Sequence, residues 1–319
     1  MENRVEPGLA EAASLWNVGA TSPSPALAGA RLTTHWAVQI VSAAGWTLAP
    51  PSPDDSQGGL EWSSAENALV GLEILRAGRR ARAGLRVADL TLIVIEQVGQ
   101  VGPKESGAQL RAELTLPGKT LDEGVAWLAA ALAQSLAGTV PHLERPRHEL
   151  PPSPIGQGAP FDGPEPAALG ELASWYSSAD RVLRAIAATT PGASAVRCWP
   201  HHFDLATLIQ LDAPDAPKEI ARSIGVGLSP GDAGIPEPYW YVIPRPYPAA
   251  KQKSEQSGPK TTPPILPAGH WQTKGWTGAA LVASELAATP TRAAGNRVAS
   301  FLSSALDACR GLLDPRRAP

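Results

Sequence analysis

The chain lacks the features that mark several common classes of protein. Its 319 residues include two cysteines, Cys198 and Cys309, which are too few for a disulfide framework, and no Cys-x-x-Cys pair is present. We therefore expect a reducing, cytoplasmic location. Charged residues make up 18% and the net charge is −3, so no basic field is available for nucleic acid. Nucleic acid is thus not an expected partner.

Long hydrophobic runs are also missing. The longest apolar stretch lies near Val125–Leu136 and is too short and too rich in alanine to span a bilayer. The N-terminus, Met1–Ala10, carries charges and has no apolar core of signal-peptide length. We expect no membrane association. The phosphate-binding, nucleophile-elbow and kinase motifs are absent as well, so no reaction class is indicated.

What the chain does contain is abundant proline, glycine and tryptophan. The 33 prolines and 30 glycines cluster in connections and read as loop signals. The ten tryptophans are the compositional oddity. Because each buried indole needs a partner for its N–H, we expect several of them to line a pocket rim or an interface.

An internal repeat is suggested by two matching helical windows. Trp127–Leu132 and Phe301–Leu306 both read aromatic, Leu, three small residues, Leu, and both lie in stretches of helical period. Each is preceded by a set of runs typical of strands, beginning at Arg31–Ala43 in the first half and at Ala195–Leu211 in the second. A coincidence between two ordinary α/β segments is the alternative.

The predicted fold class is therefore α/β (α+β), with two pseudo-repeated units, each a mostly antiparallel sheet closed by a long helix. The first unit is predicted at residues 1–145 and the second at residues 167–319. A proline-rich linker at residues 146–166 separates them. A second polar loop, Ala249–Gly269, is rich in Lys, Ser, Gly and Pro and is expected to be mobile.

Four segments carry a resemblance to known sequences: Trp199–Asp204, Leu228–Asp232, Pro236–Tyr241 and Gly269–Trp271. They resemble an uncharacterised bacterial family of unknown function with a Trp-Pro-His-His-Phe-Asp motif. The resemblance covers most of the chain and implies a bacterial source. It implies no activity, substrate or catalytic residue.

The Trp-Pro-His-His-Phe-Asp motif supplies the first candidate site residues. If residues 199–210 form one strand, side chains alternate between its faces, and His202 and Asp204 share a face. Their backbones would then lie about 6.5–7 Å apart, so that both could reach one ion or the carboxylate could orient the imidazole. In the first half, His35 aligns with His202 but Ala37 aligns with Asp204, which points to a site in the second half only.

Other candidates lie on predicted connections, where functional residues are frequent. Asp232 lies in a Ser-Pro-Gly-Asp turn, Glu237 lies between two prolines, and His270 precedes Trp271. We predict His201, His202, Asp204 and Glu237 as catalytic residues. A divalent metal, zinc or iron, could be held by His202, Asp204 and His270.

Three interpretations of this cluster remain open: a metal site, a metal-free pocket with a His–Asp pair, and a purely structural role. Trp199, Trp240 and Trp271 could form a flat aromatic wall for a small-molecule ligand, or could simply belong to the core. The function is accordingly a small-molecule enzyme or ligand-binding protein with its site in the second repeat. The alternative is a non-catalytic binding or scaffold protein that uses a Trp-lined face. The oligomeric state is not predicted.

Overall fold

The computed structural model describes most of the chain, namely residues 7–14, 16, 18, 23–98, 107–213, 215–217, 221–246, 263–287 and 290–314. Most of the polar loop predicted at Ala249–Gly269, residues 249–262, lies outside these residues, so its mobility stays a prediction. Within the described part of the chain, no helix is long and apolar enough to cross a membrane.

The α-helices are α1 (Pro7–Ser14), α2 (Leu27–Leu48), α3 (Leu121–Ser135), α4 (Pro166–Thr189) and α5 (Thr291–Leu313). The strands of the first half are β1 (Glu61–Ser63), β2 (Ala68–Val70), β3 (Ile74–Arg76), β4 (Arg79–Arg86), β5 (Thr91–Val98) and β6 (Gly107–Thr115). Those of the second half are β7 (Arg197–Trp199), β8 (Asp204–Gln210), β9 (Ser223–Ser229), β10 (Tyr239–Arg245), β11 (His270–Gln272) and β12 (Gly278–Val282).

The chain divides into two compact units. The first-sheet unit comprises Ser24–Ser177 and Arg197–Phe203, and the second-sheet unit comprises Met1–Pro23, Ser178–Val196 and Asp204–Pro319. The predicted division at residues 1–145, 146–166 and 167–319 follows sequence order alone and stays a prediction.

The first-sheet unit is an antiparallel sheet in the order β1-β2-β4-β5-β6, with β3 also pairing with β4. Helix α2 packs on β4, and α3 packs on β4, β5 and β6. The N-terminus of α3 is fixed by a capping box, in which Thr120 accepts from the Glu123 backbone N–H and the Glu123 carboxylate accepts from the Thr120 N–H. Short strand β7 joins this unit through an antiparallel bridge between Cys198 and Leu60.

The strand predicted at Arg31–Ala43 is wrong, because these residues lie inside helix α2. The helix is buried on nearly every side between Ala37 and Gly45, so its sequence shows no polar face and no helical period. An apolar run rich in β-branched residues cannot be assigned to strand or buried helix by pattern alone. The alignment of His35 with His202 as equivalent strand residues is lost with it.

The second-sheet unit pairs β8 to β12 in the antiparallel order β11-β12-β10-β9-β8. Helix α5 packs on β9, β10 and β12, and α1 packs on α5. One face of the sheet is entirely buried, with Leu205, Leu228 and Trp240 each 0% exposed. This face forms the core of the unit.

The predicted fold class is confirmed, since each half is a mostly antiparallel sheet followed by a helix. The order also recurs: α2, β1 to β6 and α3 in the first half, then α4, β7 to β12 and α5 in the second. Both windows that carry the matching motif, Trp127–Leu132 and Phe301–Leu306, lie in helices α3 and α5. Internal duplication stays an interpretation of this recurring order.

Candidate functional site

One end of the second sheet gathers polar side chains on a single face. Strand β8 begins, β9 ends and β10 begins at this end, because neighbouring strands are antiparallel. Ser229 pairs directly with Tyr239, and Leu228 pairs with Leu205, which places Asp204 beside Ser229. Side chains at paired positions point to the same face, so Asp204, Ser229 and Tyr239 form one polar row.

A hydrogen bond crosses strand β9 at the next position. The Tyr241 hydroxyl donates to the Asp204 carboxylate, and both side chains are buried. The phenol lies over Gly227, where an added Cβ would stand only 2.4 Å from the Tyr241 hydroxyl oxygen. The bond therefore requires the absence of a side chain at position 227.

A second Tyr–Asp pair lies beside the first. The Tyr239 hydroxyl donates to Asp232 Oδ2 at 2.5 Å, while Asp232 Oδ1 accepts from the backbone N–H groups of Gly234 and Ile235 at 2.6 and 2.8 Å. The turn predicted from Ser-Pro-Gly-Asp is thus held by its own aspartate. The Tyr239 ring also stacks on Trp276, with centroids 6.2 Å apart and planes at 20°.

We call Asp204, Asp232, Tyr239 and Tyr241 the Tyr–Asp cluster. Burial, and then the nearby aspartates, raises the pKa of Tyr239 and of Tyr241 above the ordinary tyrosine value. Both phenols consequently stay neutral donors at physiological pH. Asp204 as well as Asp232 raises the pKa of Tyr239, so the two pairs form one electrostatic unit.

The cluster reaches from the interior to the surface. Asp204 and Tyr241 are 8% exposed, and Tyr239 is 6% exposed. Asp232 is exposed and Trp276 is half-buried. The outer carboxylate and indole are therefore accessible to solvent while the inner pair is not.

Glu237, predicted as catalytic, makes a local structural contact. Its carboxylate accepts from the Ser284 backbone N–H at 2.5 Å and from the Ser284 hydroxyl at 2.8 Å. This contact closes the start of a short 3-10 helix, Ala283–Glu285, whose own N-cap residue provides no side-chain bond. Glu237 is therefore a capping residue in this arrangement.

His270 and Trp271 lie on strand β11. His270 is exposed and its Nδ1 lies 3.7 Å from Glu285 Oε1. The Trp271 indole donates to the Pro264 carbonyl at 2.8 Å. Trp240, which was predicted to bind ligand, is 0% exposed and packs on Trp16 in the core, so it presents no accessible surface.

The strand predicted over residues 199–210 is wrong in one respect. It is interrupted between β7 and β8, where Phe203 has φ 58°, in the left-handed region. His201 and His202 lie in this turn and belong to the first-sheet unit, whereas Asp204 opens β8 in the second-sheet unit. The alternation that placed His202 and Asp204 on one strand face therefore does not apply.

The turn brings together rings that the sequence keeps apart. The ring centroid of His201 lies 4.2 Å from that of His202 and 5.0 Å from that of His148. Trp199 lies 6.2 Å from His201, and Trp46 lies 6.2 Å from His148. We call His35, His148, His201 and His202 the histidine cluster, since the other three act electrostatically on His201.

Burial raises the pKa of the two tyrosines of the Tyr–Asp cluster but lowers the pKa of imidazoles in the histidine cluster. It is the largest cause that lowers the pKa of His35 and of His201 from 6.5 to about 4. Neighbouring positive groups add to it: Arg31 and His202 for His35, and His202 and His148 for His201. Both rings are neutral at physiological pH.

No group of three or more His, Cys, Asp and Glu side chains in the described part of the chain is arranged to hold a metal ion. The metal set His202, Asp204 and His270 stays a prediction from sequence. Zinc or iron as a cofactor likewise stays a prediction from sequence.

No protein-family model matches this chain, no curated protein matches its sequence and no solved structure matches its fold. The resemblance to a bacterial family of unknown function therefore stays a prediction carried by the sequence motifs alone.

Sequence reasoning missed the most important site residues. Tyr239 and Tyr241 are not among the site residues predicted from the sequence, although their spacing places both on one sheet face. His148 and Trp46 carried no sequence signal, because only the folded chain brings them near His201.

Proposed function

We propose that the protein binds a small organic cation at the Tyr–Asp cluster. The observation that carries the proposal is the presence of two neighbouring phenol–carboxylate pairs at one end of the second sheet. Carboxylates attract a cation directly, and the faces of tyrosine and tryptophan attract it through their quadrupoles. Trp276, stacked on Tyr239, extends the aromatic surface towards solvent.

The neutral state of the phenols supports a binding role. Because the pKa values of Tyr239 and Tyr241 are raised, both hydroxyls keep their protons and orient the aspartates as acceptors. Small-molecule sites commonly combine aromatic walls with a few fixed polar groups. An ammonium group near Asp232 would meet an exposed carboxylate that the turn and the Tyr239 hydroxyl hold in place.

Choline and its neutral carbon isostere, 3,3-dimethyl-1-butanol, test this proposal by calorimetric titration. The pair differs in charge but not in shape. We expect choline to bind and the isostere to bind at least roughly tenfold more weakly, as befits a cation–π and carboxylate site. Equal affinity for the two compounds, or binding of neither, would contradict the proposal.

Substitutions at Asp232 and Trp276 test whether choline binds at the Tyr–Asp cluster. Asp232→Asn and Trp276→Leu are each expected to weaken choline binding by roughly tenfold, because each removes one attractive group. Asp307→Asn is the matched control: Asp307 lies on helix α5 of the same unit and pairs with Arg310. It changes the net charge equally and should leave choline binding unchanged.

We further propose a reducing compartment, the bacterial cytoplasm, as the place where the protein works. Cys198 and Cys309 are both buried, and no disulfide joins them. Burial raises the pKa of Cys309 to about 12, which keeps that thiol protonated. Fractionation of cells that express the tagged protein tests this location, and recovery outside the cytoplasm would refute it.

A further inference from the structure

The histidine cluster gathers four of the six histidines of the chain in the first-sheet unit. Burial and the neighbouring imidazoles oppose protonation of His35 and His201, and a core that needed only packing would use apolar rings instead. His202 is exposed, while His148 and His201 are half-buried, so the outer rings are reachable from solvent. The organic-cation site proposed above involves none of these residues.

Hydrogen bonds from buried side chains fix the backbone of the turn that carries His201 and His202. His35 Nε2 donates to the Pro200 carbonyl at 2.9 Å, and the Gln39 side chain donates to the same oxygen at 2.7 Å. The Tyr176 hydroxyl donates to the Phe203 carbonyl at 2.6 Å. All these side chains are buried and fix the backbone on both sides of the two outer imidazoles.

The conformation of Phe203 shows that this turn is costly. Its φ of 58° is unfavourable for a residue with a side chain. The ring compensates by stacking on His35, with centroids 5.1 Å apart and planes at 12°. Strain that is maintained by surrounding contacts is concentrated at functional sites. The strained turn holds His201 and His202 next to each other.

The charges around His201 define the ligand that suits it. His202 of the same turn, His148 of the loop after α3 and His35 of α2 all oppose its protonation, and Arg31 of α2 acts likewise on His35. Asp55 is the one carboxylate among the groups that act on His201, and it favours protonation. Protonated imidazoles here would repel one another unless an anion were bound between them.

We propose that the histidine cluster binds a small anion, a carboxylate or a phosphate, together with a proton. Imidazolium N–H groups would donate to the anion oxygens in charge-assisted hydrogen bonds. Because binding and protonation favour each other, an anion must raise the pKa of His201, and protonation of His201 must tighten anion binding by the same factor.

Nuclear magnetic resonance of the histidine ring protons tests the proposal on the full chain. The titrations of His201 and His202 are followed in chloride, then with inorganic phosphate or acetate added at matched ionic strength. We expect phosphate or acetate to raise the pKa of His201 by roughly one unit or more, which corresponds to a roughly tenfold change in affinity between the protonation states. A response to phosphate alone identifies a phosphate ligand, and an equal response to acetate identifies a carboxylate.

Two variants separate the site from general ionic effects. His201→Gln should weaken phosphate binding by at least roughly tenfold, because a glutamine amide carries no charge. His142→Gln is the matched control, since His142 is an exposed histidine in the same unit that is not part of the cluster. If neither anion moves the His201 titration, or if His142→Gln has the same effect as His201→Gln, the proposal is overturned.

Discussion

The Tyr–Asp cluster and the histidine cluster use the same physical effect to opposite ends. In both, removal from water disfavours the charged form of the side chain. At Tyr239 and Tyr241 this raises the pKa, so the proton stays and the group acts as a donor. At His35 and His201 it lowers the pKa, so the imidazole is neutral and can accept a proton. We accordingly propose a cation as the ligand of the first cluster and an anion, bound together with a proton, as the ligand of the second.

The largest effect on the Tyr–Asp cluster is expected from adding a side chain at Gly227, over which the Tyr241 phenol lies. Gly227→Val places atoms where the Tyr241 phenol lies, since a Cβ would stand 2.4 Å from its oxygen. We expect a loss of about 4 kcal/mol in the free energy of unfolding, from overpacking and the broken hydrogen bond together. Urea denaturation measures it.

Gly225→Val is the matched control for that substitution. A Cβ at position 225 meets only the Ile243 carbonyl oxygen, at 4.0 Å. It should cost less than about 1 kcal/mol, because the added Cβ makes only an ordinary van der Waals contact. Similar losses for both glycine variants would show that the Tyr241–Asp204 contact contributes little.

Acid should destabilise the protein through His35. Its pKa in the folded state is lowered from 6.5 to about 4, so the unfolded chain binds more protons between these values. The stabilising contribution is complete above about pH 6.5 and is lost as the pH falls towards 4, by about 3 kcal/mol for this ring. His35→Gln keeps a donor for Pro200 and removes the titration. Its stability, measured by urea denaturation, should depend less on pH than that of the wild type; an unchanged dependence would contradict the assignment to His35.

The inner Tyr–Asp pair can be dissected without disturbing its shape. Tyr241→Phe removes one hydroxyl that donates to Asp204 and should cost about 2 kcal/mol, because the carboxylate loses a buried donor. A double-mutant cycle with Asp204→Asn measures the coupling between the two side chains. Additive losses would indicate that the bond does not link them.

The smallest effect is expected at Glu237. Glu237→Gln keeps an acceptor for the Ser284 backbone N–H but removes the charge, and should cost about 1 kcal/mol or less. Choline affinity should not change, because Glu237 is a capping residue outside the Tyr–Asp cluster. A large loss of choline binding in this variant, measured by calorimetry, would return Glu237 to the functional site.

Much of the fold could be predicted because it depends on local patterns. The two windows of helical period lie in helices α3 and α5, and strands β7 and β8 lie within the run predicted at Ala195–Leu211. Helix α2 could not be predicted, because burial on nearly all sides removes the polar face that marks a helix in sequence. The break at Phe203 was equally hidden, since a bulky residue with positive φ contradicts local preference.

The sequence by itself determined the fold class, the two-part order of the elements and the motif regions in which Asp204, Asp232, His201 and His202 lie. These follow from residue spacing, which acts over a few positions along the chain. Only the tertiary structure decided which of these residues share a site. Partners such as Tyr241 with Asp204, 37 residues apart, and His35 with Pro200, 165 residues apart, meet because strand register and helix packing bring distant segments together. Contacts of that kind depend on the packing of whole elements, which leaves no periodic trace in the sequence.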